Sequence, residues 1–157
     1  SLLHYHFQSK EHIFIELQIN LYNRISDEIA AIISSHGTTT EKSLRLLDEI
    51  YRVVTQKDDL AMHVEIWSRS FSSPKLRRHL LQFREFLRSV FIRLLEALLG
   101  DHVHKLPVSI ETAADLALYI LTGFKFHAGF EEDMERVHRA YADLTTIVMQ
   151  ILQPVEL

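Results

Sequence analysis

"SPKLRRHLLQFREFLRSVFIRLLEALLG", residues 73–100, reads as one long helix and decides the class of the fold. Leu76, Leu80, Phe83, Leu87, Val90, Leu94 and Leu98 recur every three or four positions, the spacing that lines one face of a 3.6-residue turn. Phe86, Phe91 and Leu95 fall outside that line, so the helix is apolar around much of its circumference and is expected at the centre of its domain. Ser73-Pro74 opens it, because proline is tolerated in a first turn, and Gly100 is well placed to end it. Arg77, Arg84 and Arg88 share a remaining face, which is expected to be solvated.

Working outward, four glycines and three prolines punctuate long periodic segments, the pattern of an all-α protein. Six helices are predicted. The first runs from Ser9 to about Ser35, with Phe14, Leu17, Leu21, Ile25, Ile29 and Ile32 on one stripe, and stops before His36-Gly37-Thr38. The second covers about 40–56, with the preceding threonines as cap candidates. Asp58 or Asp59 opens the third, which ends near Phe71, and the fourth reaches Leu99. Pro107 and Ser109 break the chain before a fifth helix from about Ile110 to Phe130. The sixth runs from about Glu132 to Gln153.

At 157 residues the chain has the length of one domain and buries roughly 68–70% of its unfolded surface, so it needs no metal or disulfide staple. Cysteine is absent, which excludes a disulfide framework, a cysteine nucleophile and any Cys-based zinc site. No segment has the apolar length of a membrane span, and a cytoplasmic protein is the expectation. The net charge of −4 argues against a surface that binds nucleic acid over its whole extent.

The opening residues, "SLLHYHFQSKEHIF" (1–14), crowd three early histidines and a lysine among aromatics. Ser9 and Glu11 suit a helix start, but capping does not account for His4-Tyr5-His6-Phe7. The run resembles the end of the DNA-binding region of TetR-type (tetracycline-repressor-like) transcriptional regulators. There a recognition helix finishes in Leu-Tyr-x-His-Phe and x-Ser-Lys-Glu opens a long linking helix. Leu3, Tyr5, His6, Phe7, Ser9, Lys10 and Glu11 fit that pattern, while His4 stands where the family usually has tyrosine. A second stretch, "EIWSRSFSSPKLR" (65–77), is similar to the Trp-containing helix that precedes the longest helix in many such regulators.

The resemblance implies that residues 1–8 are the tail of a helix-turn-helix unit whose first two helices and most of whose recognition helix precede Ser1. Residues 9–157 would then be a ligand-binding and dimerisation domain. It further implies contacts from His4, Tyr5, His6 and Lys10 to the backbone of double-stranded operator DNA, which position a protein without reading sequence. It also implies a small-molecule effector and a homodimer.

The residues themselves suggest where effector and partner sit. Met62, Ile66, Trp67, Phe71, Phe83, Phe86, Phe124 and His127 surround the central helix as candidate walls of an apolar pocket with a few polar groups. On the sixth helix Met134, Val137, Tyr141, Leu144, Val148, Ile151 and Val155 alternate by three and four, a seam of the coiled-coil kind. The fifth offers Ile110, Ala113, Ala117, Ile120 and Phe124, with Leu118 and Leu121 on a second stripe beside it. The resemblance turns this pair into a four-helix bundle with a symmetry mate. Ala113, Ala117, Ile120, Val137, Tyr141, Leu144, Val148 and Ile151 are its expected interface.

Ten histidines raise the possibility of a metal. Glu135 and His138 have the Glu-x-x-His spacing of a di-iron bundle, but no second copy exists, and Asp101-His102-Val103-His104 offers neighbours without a further ligand. No metal or cofactor is expected. Nor is an enzyme, since no Gly-x-Ser-x-Gly elbow or Gly-rich phosphate loop occurs. The expectation is a ligand-responsive regulator, with a helical homodimeric small-molecule or protein binding module that never touches DNA as the alternative.

Overall fold

Hydrogen bonds at the helix ends explain where each segment begins and stops. The computed structural model describes residues 10–57 and 60–152, which form six α-helices with no strand among them. In chain order these are α1 (Lys10–Ser34), α2 (Thr39–Thr55), α3 (Leu60–Ser70), α4 (Pro74–Leu99), α5 (Ile110–Phe130) and α6 (Met134–Leu152). A 3-10 turn, Gly100–Lys105, follows α4 and is absent from the sequence expectation. Gly100, at φ 50°, breaks the α-helix, and short bonds such as Leu106 N–H to the Val103 carbonyl (3.2 Å) close the turn. The proposed starts at Ser9 and at Asp58 or Asp59 lie outside the described residues.

Thr38 caps α2 in a reciprocal box: the Glu41 N–H donates to its Oγ1 at 3.2 Å, and its own N–H donates to Glu41 Oε2 at 2.7 Å. Ser73 and Ser109 accept the N–H groups of Leu76 and Thr112, each at 3.2 Å, at the starts of α4 and α5. Gly37 has φ 132°, a conformation that favours glycine, while the Arg45 guanidinium 2.6 Å from where a Cβ would sit is the end of a flexible side chain that can move aside.

The helix C-termini are closed differently. Their last carbonyls have no partner within the helix, and cations from another helix supply one. Lys42 Nζ donates to the Ile33 carbonyl at 2.7 Å and Arg45 Nη2 to that of His36 at 2.8 Å, closing α1. Lys125 of α5 donates to Val53 and Gln56 at 3.1 and 2.6 Å, closing α2. Arg77 of α4 donates to Ser70 and Phe71 at 3.1 and 2.8 Å, closing α3.

As expected, α4 is central: it packs against α1, α3, α5 and the 3-10 turn. Phe14, Ile66 and Leu76 bring α1, α3 and α4 together in one buried cluster, with Met62 and Leu80 against it. Each such side chain contributes about 1.5–3 kcal/mol by leaving water. On the other side, α2 packs against α1, α5 and α6. There Tyr51, Phe124 and Tyr141 form a ring cluster with centroids 4.9 and 5.4 Å apart around Tyr141. Gly129 lets Leu60 reach the α5 backbone, since a Cβ on the glycine would sit 1.8 Å from Leu60 Cδ2.

Candidate ligand and dimer surfaces

The eight candidate pocket residues divide among several environments. Ile66 is 1% exposed and, with Met62, belongs to the packed cluster of α1, α3 and α4. Phe83 and Phe86 are half-buried along α4. Phe124 turns away from them, its ring edge-on to Tyr141 of α6 at 82°. Trp67 is 46% exposed and stacks obliquely on Phe126, centroids 5.3 Å apart, while Phe71 is 79% exposed and His127 is exposed as well. Phe71 is the last turn of α3 running out into the connection to α4, where nothing apolar remains to cover it. The aromatic count alone gave no sign of this, because an aromatic residue reads as core wherever it stands.

The candidate interface is divided too. Val137 and Tyr141 are buried inside the chain, and the Tyr141 hydroxyl donates to the Leu47 carbonyl at 2.7 Å. They are spent on packing α6 against α2 and α5 and are not open to a partner. Ala113, Ala117, Leu144 and Val148 are half-buried; Ile120 and Ile151 are exposed. The open apolar face lies beside the predicted one. On α5 it follows Leu116, Ile120, Gly123, His127 and Phe130, with Tyr119 at its edge, and on α6 it follows Ala140, Leu144, Ile147 and Ile151. Both rows keep alternate spacings of four and three, the signature of a helix–helix seam. The second stripe read on α5, Leu118 and Leu121, is turned inward, and the open rows through Leu116 and Ile147 are not among the stripes read from the sequence.

The arginines of α4 are engaged, contrary to a merely solvated face. Arg88 Nε lies 3.1 Å from Asp115 Oδ1, and Arg84 donates to the Tyr119 hydroxyl at 3.0 Å with its guanidinium over the ring. Between α1 and α2, Arg52 binds Glu49 and stands 3.7 Å from Glu28. The hydrogen bond from Arg52 holds the Glu49 carboxyl below its ordinary pKa, whereas partial burial, and then the neighbouring Glu49, pushes Glu28 up.

Among the described residues no three His, Asp or Glu side chains gather where they could hold a metal ion, and no helix is long and apolar enough to cross a membrane. His4, Tyr5 and His6 lie outside the described residues. Lys10 begins α1. No protein-family model matches the chain, and no curated protein or solved structure matches it either.

Proposed function

We infer that the chain is the ligand-binding and dimerisation part of a TetR-type one-component transcriptional regulator, a cytoplasmic repressor that a small apolar or amphipathic compound releases from its operator. The observation that carries this reading is the pairing of the Leu3–Glu11 motif with the 25-residue helix that follows it, α1. The open, three-four-spaced faces of α5 and α6 support the second element, a homodimer through a four-helix bundle centred on Leu116, Ile120, Ile147 and Ile151. Mutual coverage of two such faces removes apolar surface from water in a self-complementary, two-fold arrangement.

The regulator works as a population shift. The effector binds one spacing of the two DNA-reading units better than the other and moves the equilibrium by that difference alone. Half-burial of Phe83 and Phe86 supports entry of the effector along α4. Lys10, with the N–H groups at the start of α1, would hold a DNA phosphate, an anion that a helix N-terminus favours.

The test uses the natural gene product, including whatever its gene encodes before Ser1, titrated with DNA from its own promoter. Specific binding that Lys10→Ala weakens by a similar factor on every site, with the log–log salt slope flattened by about one unit, is the expected result. Absence of any specific DNA complex would overturn it and leave the helical binding module, which rests on the same open faces of α5 and α6.

A further inference from the structure

We propose that the face shared by α3 and the first half of α4 docks an acidic amphipathic helix of another protein. The apolar part of that face consists of Trp67 in the last turn of α3, Phe71 in the turn just after it, and Leu81 of α4, which is 51% exposed. Phe126 extends it beneath Trp67. Arg77 joins the two helices at this point, its guanidinium bonded to the Phe71 carbonyl while Leu81 follows it by one turn. Exposed aromatic surface of this size beside arginine has the composition of an interface centre rather than of ordinary surface.

Charge selects the occupant. The chain carries a net −4, yet residues 74–88 contain Lys75, Arg77, Arg78, Arg84 and Arg88 against the single acid Glu85. Arg88 is neutralised by Asp115, and Arg69 on α3 by Glu65 at 2.8 Å. Arg77 spends its hydrogen bonds on uncharged carbonyls, and Arg84 bonds a phenol while standing 4.0 Å from the same Asp115 that Arg88 binds, so two arginines share one carboxylate. Arg77, Leu81 and Arg84 follow one another at intervals of four and three. A partner helix laid along α4 would therefore meet apolar and cationic groups in the register at which it presents its own leucines and flanking carboxylates. A lipid surface would require no such register. The face adjoins the edge of the Leu116–Ile151 seam where Arg84 lies over Tyr119, and the proposal does not depend on DNA binding.

The probe is a designed helical peptide of about twenty residues with leucines along one stripe and glutamates on both flanks. Trp67, the only tryptophan, reports directly. The expected result is a blue shift of its emission on titration and a calorimetric binding signal that weakens with added salt. Phe71→Ser and Leu81→Ser, both at exposed positions and so compatible with folding, should each weaken binding about tenfold, as should a peptide with lysine for glutamate. Equal binding of the glutamate and lysine peptides, or insensitivity to Phe71→Ser, overturns the proposal. So does either of two alternative occupants. One is flotation of the protein with phosphatidylserine vesicles that Phe71→Ser abolishes. The other is a Trp67 emission maximum that shifts with protein concentration in the absence of peptide.

Discussion

The Tyr141 hydroxyl donates to the Leu47 carbonyl at 2.7 Å and so ties the last helix to the second across 94 residues of sequence. The side chain is buried, and burial, with a smaller contribution from Asp48, raises its pKa above the ordinary phenol value of 10.0. Tyr141→Phe should therefore cost about 1 kcal/mol in urea unfolding at neutral pH. Because the folded pKa is raised, the native state holds the proton more tightly. The stability tied to that proton is complete below pH 10.0 and declines as pH rises beyond it. Tyr141→Phe should lose less stability than the parent over that alkaline range.

Gly129→Ala places a methyl group against Leu60 Cδ2 and Cγ, so the Leu60 side chain must leave its position or α3 must move away from α5. A loss of about 1–3 kcal/mol is expected. Leu60→Ala in the same chain should restore part of it, and a double-mutant cycle measures the coupling. Additive effects would show that the two positions do not touch.

The Ser43 hydroxyl is buried on α2 without a hydrogen-bond partner among the described residues. Serine there bears a desolvation cost that alanine does not. Ser43→Ala should be stabilising by up to about 1 kcal/mol, seen as a higher urea midpoint with an unchanged slope. A loss of stability would mean that the hydroxyl is satisfied in solution.

At the start of α2, Thr38→Ala should cost about 1 kcal/mol. Glu41 is held below its ordinary value of 4.5, chiefly by the Thr38 N–H that donates to it. A depressed carboxyl stabilises the fold above the unfolded value, and that contribution is lost as pH falls below 4.5 through the folded value. The stability difference between the parent and Glu41→Gln should shrink over the same acidic range.

Ile147→Glu and Ile120→Glu place a carboxylate on the open faces of α6 and α5, where both side chains are exposed in the protomer. Each should leave the monomer folded but weaken self-association by about 2–4 kcal/mol, since the charge would be buried unpaired. Sedimentation equilibrium distinguishes the outcomes. An unmutated chain that is already monomeric at micromolar concentration would rule out this use of the seam.

The helices themselves were legible because their signals are local. Ser73, Pro74 and Gly100 mark α4 wherever the rest of the chain lies, and the threonines before α2 do supply its cap. Facing was harder to read. On α5 and α6 two apolar stripes compete, and periodicity cannot tell which of them the neighbouring helices take. Val137 and Tyr141 were absorbed by α2 and α5, which left the adjacent rows through Leu116 and Ile147 open. The pocket residues fared similarly: Trp67, Phe71 and Phe124 share a composition, but the directions in which they point depend on the crossing of α3, α4 and α5. The role of Arg77 was invisible for a related reason, since its acceptors are carbonyls, which every residue has.

The lysine and arginine bonds that close the ends of α1, α2 and α3 also bear on how the molecule opens. A helix normally frays from its last turn at little cost, because those carbonyls are solvated in either state. In this chain, unwinding the end of α2 requires Lys125 to leave it, and unwinding the end of α3 requires Arg77 to let go, so each end is tethered to a helix that must itself stay in place. The amide protons of those terminal turns should therefore exchange more slowly than at an unbridged helix end, by the roughly 0.5–1.5 kcal/mol that such a bond contributes.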